Sequence, residues 1–547
     1  MARDSNKFIR LLESPGVVAD HYLFKVDGSE TLSQPFMYRL QIRSHGVVAD
    51  ASAWVNASIT FIVGISDNVD RKINGRCIRF EHLYEKGGYT EFAIEIAASF
   101  EATKTQRHRR LWTDKTAKAI IADVLKGGQI TFDDSKVGPQ PIREMCVQQN
   151  ETDFDFVSRL LEDEGVFYYF RYDAGAGPYK HRMFMADTVA GYDDGQPFAL
   201  SFRRDHLLRG VKGVTLAHHA SPSAAVVHEY DYKKPGALTP LQVPTRLGSA
   251  NQGSVVYDWQ SGHATPEDGR RRAKLAIEEA ESGAMTMNGS GSYLALEPGK
   301  RFQIDDTRLA PRERRIVIRS VTHAIFDPSG LSEGDSRYDQ NFVAQPSADV
   351  FRPKRTTPKA VAKGPQSAVV VDQNDPEGFG RIKIQYHWDR GAASTCWVRV
   401  LQQWAGNKIG AQFVPRPGME VMIDFLEGDP DRPVLVGCLY NGKNSHPYAV
   451  PANLTQAGWR TAGPGGLAHE LLFEDKGGGE EIFMQSGRDY RRIVKRDETA
   501  TITRSLKVDA LDITLTAKTS ITLNVGGNKV VIDAGGVTIN GKMINLN

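Results

Sequence analysis

Between Thr499 and Asn547 the chain has no proline, no cysteine and no aromatic residue, while Thr, Val, Ile, Asn and Gly dominate. Short alternating pieces recur there: Ile513/Leu515, Ile521/Leu523/Val525, Val530/Ile532, Val537/Ile539 and Ile544/Leu546. Their starts lie 8, 9, 7 and 7 residues apart. Each piece offers two or three apolar side chains, too few to bury a core alone. Such strands must stack as a solenoid or interdigitate with copies of the same chain, and either solution gives a stiff rod with few open edges. Gly526-Gly527 and Gly535-Gly536 supply the corners.

The rest of the chain is of another kind. Its 547 residues predict three or four domains at roughly 100–200 residues each. The 68 Lys and Arg nearly cancel the 66 Asp and Glu. There is thus no global basic field for nucleic acid or an anionic membrane, and ordinary apolar content excludes disorder for most of the chain. Cys77, Cys146, Cys396 and Cys438 form no CxxC pair, so they read as reduced structural thiols. No apolar run approaches the ~20 residues of a membrane-spanning helix, and the N-terminus lacks the apolar stretch of a secretory signal. Export would need a route that reads no such signal.

The first ~350 residues read as mostly β with a few helices. His21 to Arg43 is expected to form a hairpin breaking at Asp27-Gly28. A helix is predicted over Trp112 to Lys126, with Ala117, Ile120, Ile121, Val124 and Leu125 on one face and Gly127-Gly128 as its stop. A second is capped by Thr152, carries Phe156, Val157, Leu160 and Leu161, and ends at Gly165. A third starts at Thr265-Pro266 and runs to about Glu281, with an apolar face fit only for surface packing. Phe351 to Gly364 reads as a linker. Five strands follow, at Ala368–Asp372, Gly380–His387, Thr395–Leu401, Gly418–Phe425 and Pro433–Cys438, which suggests a small closed barrel of the OB type.

No catalytic constellation emerges. There is no G-x-S-x-G, and Gly289-Ser290-Gly291-Ser292 reads as a loop. There is no phosphate loop, and Gly175 and Gly177 lead into Pro178 as a turn. His218-His219 lack spaced partner ligands and read as solvated, as do Glu162-Asp163-Glu164 on a helix tail and Glu480-Glu481 in a turn. No metal or cofactor is expected. Tyr386, Trp388, Trp397 and Trp404 could stack bases on an OB barrel, but without a basic groove they read as barrel packing or a subunit interface.

Several long segments resemble VgrG, the valine–glycine repeat spike of type VI secretion, itself similar to the hub and spike of contractile phage tails. They are LSQPFMYRLQIRS (Leu32 to Ser44), CVQQNETDFDFVSRLLEDEGVFYYF (Cys146 to Phe170), GFGRIKIQYHWDR (Gly378 to Arg390), WVRVLQQWAG (Trp397 to Gly406), FVPRPGMEVMIDFLEGDPDRPVLVGCLYN (Phe413 to Asn441) and LLFEDKGGGEEIFMQ (Leu471 to Gln485). The resemblance implies a mostly β, multidomain chain. Phage-hub-like β-barrel subdomains would fill 1–350, followed by a linker at 351–366 and an OB-type barrel at 367–442. A connector at 443–470 would lead to an intertwined triple-stranded β-prism over 471–547.

The resemblance also implies a homotrimer whose hub sits on a hexameric tail-tube protein and whose tip carries a PAAR-repeat protein. Effector proteins and baseplate components would be further partners, with transient contact to target membranes and no nucleic acid. On this reading Ile513, Leu515, Ile521, Leu523, Val525, Val530 and Ile532 line the trimer seam, and Val537, Ile539, Ile544 and Leu546 meet the tip protein. The chain would be made in the cytoplasm and leave through the type VI apparatus. No enzyme domain is expected, since Gly442 to Glu470 is too short for one and the chain ends at Asn547 just after the last strand pieces. A contractile-tail hub of phage origin is the alternative. A carbohydrate-active β-solenoid enzyme is disfavoured by the aromatic-free C-terminus. Whether Cys396 and Cys438 pair after export is left open.

Overall fold

The structure, a computed structural model, describes residues 8–545 apart from 17, 46–49, 65–70, 87–88, 201–209, 236–239, 249, 329–335 and 392–394. It divides into two compact units, Met1–Ser445 and His446–Asn547.

The first unit is built on a twelve-stranded sheet. Ile9–Glu13, Ser58–Val63, Arg71–Lys86, Tyr89–Ala97, Gln34–His45 and His21–Thr31 follow one another across one half. Arg315–Phe326, Arg337–Pro346, Met285–Gly291 and Val211–His218 continue the other half, with Lys300–Ile304 and Asp193–Leu200 branching from Arg315–Phe326. The halves join where His21–Thr31 pairs antiparallel with Arg315–Phe326. Each half has its own core. Phe61, Phe92, Ile94 and Trp54 lie in the first, Phe302, Ile316, Ile318 and Phe342 in the second.

Charge is buried at the join. Glu30 accepts from Arg71 Nη2 (2.6 and 2.8 Å) and from Tyr38, and lies 3.3 Å from His323 Nε2. Burial pushes this carboxyl up, but Arg71, His323 and Tyr38 outweigh it and hold it well below the usual carboxylate range.

The expected hairpin exists, but its turn is displaced. The strands His21–Thr31 and Gln34–His45 meet at Leu32-Ser33, and Gly28 lies inside the first, paired with Tyr38. Gly28 is a contact glycine, not a turn glycine: a Cβ there would come within 2.0 Å of the Tyr38 ring. The same reason corrects the loop assigned to Gly289-Ser290-Gly291-Ser292. Gly289 to Gly291 belong to the strand Met285–Gly291, and a Cβ at Gly289 would meet the Phe342 ring at 2.1 Å.

The three helices form where expected. Ala117–Gly127 buries Ala117, Ile120, Ile121, Val124 and Leu125. It starts later than predicted because the Thr116 side chain accepts the Ala119 N–H as its cap. Trp112 belongs instead to the strand Arg107–Thr116, its ring stacked 5.1 Å from Phe156. Asp153–Asp163 is capped by Thr152, and Gly165 takes positive φ (65°) after its end. Pro266–Glu281 packs Ala276 and Ile277 on a three-stranded sheet of Leu241–Pro244, Ser221–His228 and Ala250–Trp259.

Residues 351–365 contain no helix or strand, yet several of their side chains are anchored to other elements. Arg352 donates to Glu278 Oε2 (2.9 and 2.7 Å) and to the carbonyls of Gly165 and Asp187 (2.7 and 2.8 Å). Arg355 grips Glu279 and Asp258, Thr356 and Thr357 donate to Glu162, and Lys359 sits between Asp429 and Asp431. The Glu162-Asp163-Glu164 tail, expected to be solvated, is part of this region's ionic packing. Glu164 is buried and paired with Arg143, Arg271 and Arg272.

All five barrel strands are present, as Gln366–Asp372, Lys383–Tyr386, Arg399–Val400, Glu420–Phe425 and Pro433–Leu439. An antiparallel bridge between Ile382 and Val398 links the two ends of their sheet and closes the barrel. Ala368, Val370, Ile382, Ile384, Val421 and Ile423 fill it.

The second unit holds two three-stranded antiparallel meanders. One comprises Gln456–Ala462, Ala468–Glu474 and Glu481–Gln485; the other Ser520–Val525, Asn528–Asp533 and Gly536–Asn540. Residues 486–519 between them contain neither helix nor strand.

Candidate functional site

The C-terminal meander is two-faced because its register aligns like with like. Ile521 faces Ile532, which faces Val537; Leu523 faces Val530, which faces Ile539. These two rows share one side, since residues opposite each other on antiparallel strands point to the same face. The other side carries Thr522, Val531 and Thr538, then Asn524, Lys529 and Asn540. Gly526-Gly527 turns the first hairpin with both φ positive (51° and 89°), which a two-residue connection favours.

Among the described residues, nothing covers much of the apolar side. Leu523 is 59% exposed, Val525 75% and Val537 64%; Ile532 and Ile539 are exposed as well. Val537 and Ile539, read from sequence as tip contacts, lie in the same rows as Ile521, Leu523, Val530 and Ile532, read from sequence as a seam. Ile544 lies beyond the last strand, and Leu546 falls outside the described residues.

The piece Ile513/Leu515 is not a strand here, and both side chains are exposed. Between Arg488 and Thr519, Ile493, Ile502, Leu506, Val508 and Leu511 are exposed too. Among the described residues, this stretch forms no backbone–backbone hydrogen bond. An unpaired apolar strand within reach of others is a template for pairing.

The four barrel aromatics separate into different roles. Tyr386 is buried, and Trp388 stacks on it at 5.0 Å while donating to Gln366 Oε1 (2.8 Å). Trp397 lies under Arg381 and Lys383, whose cationic groups are 5.9 and 5.2 Å from its ring. These three are packing residues. Trp404 alone is well exposed (65%), beside the short hairpin of Ala405–Gly406 and Ile409–Gly410, with Leu401, Ile409 and Phe413 also exposed.

Elsewhere the polar constellations have structural partners. His181 Nε2 accepts from the Ser99 N–H (2.9 Å) and lies 3.0 Å from Ser99 Oγ, while Nδ1 faces Asn74 Oδ1 at 3.2 Å. The group resembles a Ser-His-Asn set, but all three residues are buried and the backbone N–H occupies the nitrogen that a base would use. Burial pushes the imidazole down to about 4. His218 and His219 sit on the surface beside Glu313 and Thr286. Among the described residues, no three His, Cys, Asp or Glu side chains converge as a metal site. All four thiols are free; Cys77 and Cys146 are buried, Cys396 Sγ lies 3.9 Å from Met145 Sδ, and Cys438 is exposed.

A β-rich hub, a closed OB barrel and a terminal set of strands with an uncovered apolar face define the class of contractile-tail hub-and-spike proteins. The chain belongs to the phage tail baseplate hub (GPD) family, whose model matches residues 29–329. The type VI secretion system/phage-baseplate injector OB domain matches 366–440, and the bacteriophage T4 gp5 C-terminal trimerisation domain matches 458–538.

It is homologous to the VgrG spike proteins of Pseudomonas aeruginosa. Type VI secretion system spike protein VgrG1c is 28% identical over 504 residues, covering 87% of this chain and 68% of its own; VgrG1a is 27% identical over 506, covering 88% and 77%. The Vibrio cholerae actin cross-linking toxin VgrG1 is 27% identical over 487 residues, covering 85% of this chain but 44% of its own. Among solved structures, the E. coli c3393 protein, a type VI secretion component, aligns with TM-score 0.55 at 20% identity over 79% of this chain and 99% of its own. The Francisella PdpA-VgrG complex aligns with TM-score 0.57 at 11% identity over 95% and 76%.

Proposed function

We propose that three copies of the chain form the spike of a type VI secretion apparatus and that its work is mechanical. The carrying observation is the C-terminal region: residues 488–519 make no backbone ladder, and the rows through Ile521 and Leu523 lie open. Identical strands from two further copies would close both at once, placing Ile513, Leu515, Ile521, Leu523, Val525, Val530 and Ile532 in a dry seam. The match to a trimerisation domain supports the same count.

In this reading the hub seats on the hexameric tail tube, and a PAAR-repeat protein caps the tip beside Val537, Ile539, Ile544 and Leu546. Effectors and baseplate components ride with it, and sheath contraction drives the assembly through target membranes without catalysis by this chain. Export through the apparatus itself needs no membrane-spanning helix, and among the described residues no helix is long and apolar enough to be one. The hub family is equally at home in phage tails, so a phage-derived tail spike is the second reading. Tube and sheath genes beside this one, without phage head genes, would favour the first.

Light scattering during size exclusion tests the assembly. A mass near three times 60.5 kDa is expected, and a monomer would overturn the shared seam.

A further inference from the structure

We infer that the meander of Gln456–Ala462, Ala468–Glu474 and Glu481–Gln485 is a register clamp: its apolar face meets the same face of two further copies and sets the alignment of the three chains. Its own register makes it two-faced. Ala457, Phe473 and Ile482 stand opposite one another, as do Trp459, Leu471 and Met484, and these two rows share one side. The other side carries Gln456, Glu474 and Glu481 in one row and Arg460, Glu470 and Gln485 in another, with Gly458, Leu472 and Phe483 between them. That side is tied within the chain. Gln456 Nε2 donates to Glu474 Oε2 (3.0 Å), Arg460 Nε lies 3.8 Å from Glu470 Oε2, and a Cβ at Gly458 would meet the Tyr448 hydroxyl at 2.9 Å. The apolar side is open: Ile482 is 70% exposed, Trp459 and Met484 57% each.

The occupants are two further copies because nearly all of this meander falls inside the segment, 458–538, that matches a trimerisation domain; the assignment rests on the three-copy reading. Three copies of one apolar face around a threefold axis cover one another, with no second surface required. The need for a clamp lies further along. Residues 486–519 hold no helix or strand, and the apolar pieces from Ile513 onward start 8, 9, 7 and 7 residues apart. Shifting one chain by one piece would again set apolar against apolar, so repetitive strands of this kind specify their alignment weakly. The C-terminal rows do not resolve it, since Ile521, Ile532 and Val537 resemble Leu523, Val530 and Ile539 in size. The first meander differs: Trp459 and Phe473 stand in separate rows, and no aromatic residue follows Thr499. Large rings packed at native density fit one alignment and clash in the others.

The place of the meander in the chain suits this role. It ends at Gln485, directly before the unladdered stretch, so three chains joined there enter residues 486–519 at the same residue. From that fixed point the correct partner piece closes the shortest loop, and each later piece meets its own counterpart before a shifted one.

The test uses the full-length chain and Ile482→Lys, which puts one charge per copy on the apolar side and leaves the packing of a single chain nearly intact, Ile482 being so exposed. Glu481→Gln, on the opposite side, is the control. After dilution from urea at equal chain concentration, trimer mass should appear about tenfold more slowly, or not at all, in Ile482→Lys. In Glu481→Gln it should appear within about twofold of the parent rate. A photo-cross-linker at Leu506 should join one partner peptide in the parent, and in whatever trimer Ile482→Lys forms it should also join peptides displaced by one apolar piece. Equal assembly rates with one shared cross-linked peptide overturn the clamp, as does equal slowing in both variants. A cross-linker at Met484 that never joins two copies in a trimeric sample overturns the assignment of the face. A monomeric parent overturns the three-copy reading itself, and light scattering shows it before any variant is made.

Discussion

Leu523 offers the most direct measurement of the seam. Its side chain is 59% exposed in one chain, and burying that remainder is worth about 1.5 kcal/mol at the usual ~2–3 kcal/mol for a whole leucine. Leu523→Ala removes it three times, about 4.5 kcal/mol per trimer, which is ~2,000-fold in the dissociation constant. Because three chains part together, the concentration at half dissociation moves as the square root, ~45-fold. Sedimentation equilibrium across a dilution series, at one fixed sub-denaturing urea concentration, reads this directly. Thr522→Ala is the control, since Thr522 lies on the opposite face in the row of Val531 and Thr538. It should move the midpoint less than about threefold, as surface substitutions usually do. If the two variants shift alike, or neither shifts, the apolar rows are not the seam.

Three further outcomes follow from the first unit. His181, held neutral with its imidazole pushed down to about 4 against an ordinary 6.5, stabilises the fold fully above pH 6.5. As pH falls toward 4 the unfolded chain binds the proton first, so ~3 kcal/mol should be lost in that window, and urea melts of His181→Gln should show a flatter pH dependence. Gly28→Ala forces a Cβ to 2.0 Å from the Tyr38 ring, and the urea midpoint should drop by the equivalent of ~1–3 kcal/mol; an unchanged midpoint would mean the strands slide freely. Arg352→Met leaves Glu278, 5% exposed, without its main partner. It should destabilise by ~3–5 kcal/mol and open residues 351–365 to limited proteolysis, and a protease-resistant variant would refute the anchoring.

Much of this architecture is legible in residue order where periodicity is strong. The stripe Phe156, Val157, Leu160 and Leu161 with its Thr152 cap, and the alternation Val421, Ile423 and Phe425, translate directly into buried faces. What misleads is glycine whose role is set by a distant ring. Asp27-Gly28 has turn composition, but nothing local announces that Tyr38 will lie across it. Residues 351–365 have the composition of a linker because their order comes from carboxylates on other elements, Glu162, Glu278 and Glu279. Glu164 reads as solvated for the same reason, since its partners come from other elements: Arg143 on the strand before its helix, and Arg271 and Arg272 more than 100 residues further on. At the candidate seam the pattern of apolar pieces was visible in sequence. That Val537 and Ile539 share rows with Ile521 and Leu523 required the antiparallel register.

The anchored run from Arg352 to Ala362 has a further consequence. Its grips are distributed: Arg352 and Arg355 hold the helix Pro266–Glu281, Thr356 and Thr357 the helix Asp153–Asp163, and Lys359 and the Ala362 N–H the barrel turn at Gly428 to Asp431. A pull that separates barrel from hub must strain these bonds together, as a riveted seam is loaded in shear, instead of peeling them one after another from a free end. Rupture then depends on many bonds failing within one event, so the yield force should rise steeply with loading rate. This stretch without helix or strand is in this sense a joint plate, through which a load on the barrel passes to the two helices with little lost to bending.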